Sequence, residues 1–511
     1  MKKIIEEYKN EIKKLVVNPR YIIPVIFVAI LSYGFAITHY SIGIDDLCFD
    51  RYVSGTYILS AKRWGTWLLY NILNIKEFTP FWLEFVVSTF MVIIAIVLSA
   101  FLKKQSKDKI NIWGCVIFSS IFISNPIINH FFIYQSTNLA VVISNLLMII
   151  ALILIMENYF GDKKIKIYIV SIIFITLALS MYESCAQTYL VLLFISIFIK
   201  LVNEEEKGIF KFFCISIVCL IFGILGYAIT GKITLLILKQ LGIRKPNFAS
   251  AEIISIDKRI LSMPQDTRII IWKKYLSALI FDIMNGIRNY YPVKVLFLTS
   301  IIVLIAESIN LLKTKKDGRI VNIELMMFSN FILVILQVKI MYRIEFSWIL
   351  TTAFLILYLY KIVENRKILK YITSIVIIFL IIFQTKNLNQ TFYKEYIRFE
   401  KEKNVATEIA TDITKNTNYE NKTIVYVNTL KNITLDDNEE KSGIINWGKE
   451  AFHEGGIETT KFINYMGYNF LVTTNSKYNE ALKQYEMLND EIKNENIIEL
   501  EDCIIVNLDK Y

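Results

Sequence analysis

Eleven runs of apolar residues, at 21–38, 80–102, 111–128, 137–156, 165–182, 186–202, 209–230, 292–312, 321–338, 346–363 and 368–384, set what this chain can fold into. A helix needs about 17–25 apolar residues to cross the hydrocarbon of a bilayer. No water is available there, so each segment must satisfy its own backbone N–H and C=O groups, which a helix does. Composition agrees: 55% of residues are hydrophobic and 20% are charged, too apolar for a soluble multidomain protein. The expected fold is an all-α polytopic membrane protein with about eleven transmembrane helices over 21–384.

A net charge of +10 would point a soluble protein toward nucleic acid, but here the cations gather in short loops. "KKQSKDK" from 103, "GDKKIK" from 161, "NEEEKG" from 203, "KTKKDGR" from 313 and "ENRKILK" from 364 all follow even-numbered runs. The connections at 126–136 and 182–185 carry no lysine or arginine. Positive charge stays in the cytoplasm, so the N-terminal segment 1–20 and the basic loops are expected there. That segment is too long and polar for the n-region of a signal peptide. Eleven spans then put the C-terminus outside. The stretch 268–292 is read as an amphipathic surface helix, because Lys273, Lys274 and Asp282 would each cost about 2.5–3.5 kcal/mol at mid-bilayer.

Three segments face outward in this topology: a first loop at 39–79, a larger loop at 231–291, and a tail at 385–511. Within the first loop, "ILSAKRWGTWLLYNIL" (58–73) reads as an interfacial helix with Trp64 and Trp67 at headgroup depth. The tail is polar but patterned. Residues 422–430, 468–474 and 497–508 read as strands and 479–493 as a helix, together a small C-terminal extracytoplasmic α/β domain. The six cysteines show no C-x-x-C spacing, which indicates neither a zinc site nor a disulfide framework.

Charge is crowded at "GIDDLCFDRY" (43–52), where Asp45 and Asp46 are adjacent and Asp50 and Arg51 follow. Neighbouring acids repel, so the pair asks for compensation by Arg51, Lys62, Arg63, a metal or a substrate. An outer "GIDDLCFDRY" after the first span, followed by "RWG" (63–65) ahead of an apolar run, resembles the type II O-antigen glucosyltransferase family (GtrII-like), within the wider GT-C superfamily of integral membrane glycosyltransferases. The resemblance implies transfer of a sugar, usually glucose, from a polyprenyl phosphate to a glycan acceptor on the outer face of the cytoplasmic membrane. It implies an essential acid in the first outer loop and fixes the pair better than either member; of the two, Asp46 is favoured as base and Asp45 as orienting or binding. No cofactor is implied, although the pair could hold a divalent cation through hard oxygen ligands.

The departing phosphate calls for cations, and arginine's planar fork suits phosphate oxygens. Candidates are Arg63, Arg288 before Tyr290 and Tyr291, and Lys339 and Arg343 in "KIMYRIEF", where outer cations break the charge trend. A pairing of Arg343 with Glu345 is the plainer reading of that group. Glu183, in the turn between the fifth and sixth runs, and His130, Tyr134 and Gln135 are weaker substrate contacts. Trp447 in the tail is either a sugar-stacking platform or a core residue. Glu84, Glu307 and Glu324 lie near run ends and read as acids snorkelling to the interface. Three other functions fit a multispan chain. A lipid-linked sugar flippase would need ionisable groups near mid-bilayer, whereas charges here sit at the run edges. A polysaccharide polymerase would rely on outer arginines and histidines more than on paired aspartates. A scaffold would bind a partner through the tail.

Overall fold

All eleven apolar runs fall on helices. The computed structural model describes residues 1–43, 46–47, 58–59, 61–75, 79–240, 290–314, 318–337, 345–428, 430 and 457–511, with scattered positions from 264 to 285. The helices are α1 (Lys2–Val16), α2 (Pro19–Thr38), α3 (Trp64–Ile72), α4 (Trp82–Gln105), α5 (Ile112–Ile123), α6 (Gln135–Phe160), α7 (Ile165–Met181), α8 (Cys185–Val202), α9 (Ile209–Gln240), α10 (Tyr291–Thr314), α11 (Gly318–Gln337), α12 (Phe346–Val363) and α13 (Lys367–Asn416). Among the described residues, nine helices are long and apolar enough to cross a membrane. The two remaining runs lie on α7, apolar but 17 residues long, and on the 20-residue α11. Local chemistry sets several ends: Asn111 accepts from the Gly114 N–H as the cap of α5, and Lys103 and Lys104 close α4 where the helix dipole favours cations.

The chain divides into two compact units. The first comprises Met1–Ile37, Arg51–Phe132 and Thr137–Asn389; the second comprises Thr38–Asp50, Ile133–Ser136 and Gln390–Tyr511.

In the first unit α7 packs on α9, α8 on α11, and α5 on both α4 and α12. Small residues let helices approach where lipid supplies no hydrophobic drive between them. A Cβ at Gly223 of α9 would meet the Ile175 side chain of α7, 2.7 Å from its Cβ. Buried polar side chains join other helices. Trp348 Nε1 and Gln187 Nε2 both donate to the Asn330 carbonyl, at 2.8 and 3.1 Å, and Thr188 Oγ1 donates to Asn145 Oδ1 at 2.6 Å. Glu307 does not snorkel. It is 4% exposed, accepts from the Tyr358 hydroxyl and lies 3.6 Å from Arg319, so an interior partner replaces the headgroup layer. The N-terminal segment folds as α1 and is tied down by Lys104, which pairs with Glu7 at 2.7 Å and Glu157 at 3.0 Å.

In the second unit the last part of α13 carries a buried stripe, Phe392, Phe399, Ala406 and Ile413, spaced by seven residues. The tail holds a four-stranded sheet of order β2-β1-β4-β3. Its strands are β1 (Thr423–Val427), β2 (Leu471–Val472), β3 (Ile497–Glu499) and β4 (Cys503–Asn507). β1 runs parallel to β2 and β4, in register Thr423 to Leu471 and Thr423 to Cys503, while β3 is antiparallel to β4. All five residues of β1 and of β4 are buried, as expected of central strands covered on both faces. Helices α14 (Ile457–Tyr465) and α15 (Asn475–Met487) complete this part. Tyr478 and Ala481 of α15 pack with Val425, Val427 and Ile505. Two sequence readings change in detail: 497–508 is a β3–β4 hairpin rather than one strand, and the strand at 468–474 is confined to Leu471–Val472.

Candidate active site

The segment after α2 turns back on itself at Asp46. The Asp46 N–H donates to the Gly43 carbonyl at 3.1 Å, and the Gly43 N–H donates to Asp46 Oδ2 at 2.9 Å, closing a tight reciprocal turn. The other oxygen, Oδ1, accepts from the Ser136 N–H at 2.8 Å. Ser136 is the second residue of α6, so this N–H belongs to the opening turn of a helix, where donors lack intrahelical partners and the dipole favours an anion. Asp46 is 4% exposed. Both carboxylate oxygens are thus engaged by backbone donors, one from the acid loop itself and one from the first turn of α6, which fixes the anion in place. Asp45 lies outside the described residues.

In the first unit, Arg63 and Glu183 come together. Arg63 Nε and Nη2 each lie 3.1 Å from Glu183 Oε2, and the Arg63 guanidinium sits 4.9 Å from the centre of the Tyr182 ring. Glu183 Oε1 accepts from the Tyr227 hydroxyl of α9 at 2.9 Å. The sequence predicts Arg63 and Glu183 as separate substrate contacts; their side chains form an ion pair, 17% and 15% exposed. Tyr227 escaped the sequence reading because an apolar run hides one hydroxyl. Its nearest signal was Gly226, which stands against Thr176.

The "RWG" motif has a local explanation. Trp64 Nε1 donates to Thr230 Oγ1 at 3.1 Å, and Thr66 Oγ1 donates to the Met181 carbonyl at 2.8 Å. At Gly65 a Cβ would fall on Ser180 and within 3.0 Å of Met181 Cγ. Four consecutive side-chain positions therefore dock α3 against the 180–183 turn and α9. Of the segment 58–73 read as a helix, Trp64–Ile72 is helical.

His130 is 8% exposed, and its Nε2 lies 2.9 Å from the Tyr290 hydroxyl, with the two rings edge to face. Arg288, Lys339, Arg343 and Trp447 lie outside the described residues; of the helix read over 268–292, the positions described between 269 and 285 are helical. Among the described residues no three His, Cys, Asp or Glu side chains group as a metal site would require.

The model of the Glucosyl transferase GtrII family matches residues 34–360. The chain belongs to that family. No curated protein and no solved structure matches it. As a member of the GtrII family it is a glycosyltransferase built on membrane-spanning helices, which decides against the transporter reading. The match takes in the acid loop, the "RWG" segment, Glu183 and His130, and it ends before α13 and the tail.

Proposed function

We propose that this GtrII-family enzyme moves a sugar, glucose by the family's description, from a polyprenyl phosphate to a hydroxyl of a cell-surface glycan at the outer face of the cytoplasmic membrane, in a GT-C-like arrangement. The observation that carries the reading is the Asp46 carboxylate, anchored by the Gly43 and Ser136 amides within the matched region and adjacent to a second aspartate.

A polyprenyl carrier keeps its tail in the bilayer and presents its sugar at the surface, so a site formed by loops between spans suits it. The leaving phosphate is already a stable anion and needs no general acid of the kind a glycosidase directs at an alkoxide. One carboxylate suffices. It takes the proton from the acceptor hydroxyl as that oxygen attacks the anomeric carbon, a contribution of about 10²- to 10⁴-fold. The bond to phosphate breaks as the new glycosidic bond forms on the opposite face, and the configuration inverts. Engagement of both Asp46 oxygens suits it to hold the loop, so the base role passes to Asp45, the reverse of the order favoured from sequence. Arg63 oriented by Glu183, together with Arg288, Lys339 and Arg343, is assigned to the phosphate, and His130 with Tyr290 to the sugar or acceptor.

Asparagine substitutions test this. With donor lipid and acceptor supplied to the purified full chain, Asp45→Asn should lose about 10²-fold or more of its transfer rate while its unfolding midpoint stays put. Asp46→Asn should lose transfer and also unfold at lower temperature, because the new amide sets a donor against one of the two backbone N–H groups. Full transfer by both variants would remove the mechanism.

A further inference from the structure

We infer that Arg398, on α13 beyond the family match, is a positioning residue for the acid loop, an inference that rests on reading that loop as the catalytic centre. Arg398 is 1% exposed. Its Nε donates to Glu395 at 2.8 Å, its Nη1 to Glu402 at 2.6 Å, and its Nη2 to the Ile42 carbonyl at 3.3 Å. The two glutamates, one turn to either side, aim the guanidinium, and the remaining edge reaches the loop.

The Ile42 carbonyl and the Gly43 N–H belong to one peptide group. That group is planar and trans, so its C=O and N–H point in opposite directions and cannot turn independently. Arg398 holds the oxygen end, and Asp46 Oδ2 accepts from the nitrogen end at 2.9 Å. A rotation of this peptide would break both bonds at once. A hydrogen bond to the carbonyl also polarises the N–H as a donor, strengthening its hold on the carboxylate. Two ring contacts lay the same loop along the same helix: His39 on Tyr396 at 5.1 Å and Tyr40 on Phe399 at 5.5 Å between centroids. Arginine is required because three separate directions must be served from one plane, which a lysine ammonium on a flexible stem does not do.

The test uses the full chain in lipid nanodiscs, with Arg398→Lys, Arg398→Gln and Glu402→Gln compared with Asp45→Asn and Asp46→Asn. Both Arg398 variants should lower kcat by about 10- to 100-fold, since small misplacements of a reacting group cost that much, with donor KM little changed. Hydrogen exchange in the peptide spanning 39–47 should quicken in the same variants without any substrate present. Glu402→Gln, which keeps the fork but weakens its aim, should fall between wild type and Arg398→Lys, and it serves where Arg398→Gln fails to fold. Unchanged kcat and unchanged loop exchange in Arg398→Lys would overturn the inference. If both aspartate variants keep full transfer, the catalytic reading of the loop fails instead, and the exchange measurement still decides whether Arg398 holds it.

Discussion

Asp46 and Glu307 are acids that sequence position alone would leave in water or at a headgroup layer, and both are buried. A buried carboxylate persists only with donors around it. Asp46 takes backbone amides, and Glu307 takes a tyrosine hydroxyl and an arginine. The crowding of charge in "GIDDLCFDRY" was legible because adjacent acids are conspicuous at the end of an apolar run. Which amides would meet them was not, because Ser136 is ninety positions away and contributes only its backbone. A third acid, Glu499, yields a pH prediction. The hydrogen bond from Lys422, at 2.9 Å, holds its carboxyl below the usual carboxylate range, helped by the Asn418 N–H. The folded state therefore binds this proton less readily than the unfolded state. The contribution is complete above the ordinary value of about 4.3 and is lost as pH falls through the lowered one. Glu499→Gln should flatten that part of the acid side of the tail's unfolding curve, followed by tyrosine fluorescence against pH.

The eleven apolar runs were readable as helices because a bilayer imposes one length and one kind of side chain on a spanning segment. Helix α3 was readable from the helical spacing of its apolar residues, but its docking was not. Arg63, Trp64 and Thr66 act through partners at 180–183 and 227–230, and Gly65 acts by having no side chain at all. Gly65→Val should force α3 off the 180–183 turn. Overpacking of this kind costs about 1–3 kcal/mol. A drop in the unfolding midpoint together with loss of transfer is the expected result, with Gly65→Ala intermediate. Apolarity predicts an end to α13 at 384. The helix continues to Asn416 on a different signal, a seven-residue repeat of Phe392, Phe399, Ala406 and Ile413. That repeat is what carries Arg398, Glu395 and Glu402.

At the scale of the whole molecule, the acid loop belongs to the same compact unit as the tail, although more than 330 residues separate Asp50 from Gln390 along the chain. The family match ends at residue 360, so a unit that includes this loop is completed by sequence outside the match. The proposed topology makes a prediction at this scale. A reporter fused after Tyr511 should be reached by a membrane-impermeant reagent on intact cells, and one placed before Met1 should be reached only after permeabilisation. The opposite pattern would put the loop on the wrong side for a carrier presented outside.

Periodicity and charge, read along the chain, determined the membrane class, the placement of the helices and the loop that holds the paired acids, and the motifs of that loop carried the resemblance to the family. These are local properties, set by hydrocarbon thickness, the cost of unpaired backbone and the sign of short loops. Tertiary structure alone decided that Arg63 meets Glu183, that α6 offers an amide to Asp46, and that a distant arginine grips the peptide preceding Gly43. Those choices depend on hydrogen-bond donors and acceptors far apart in sequence, many of them backbone atoms that every residue possesses, so no residue type announces them.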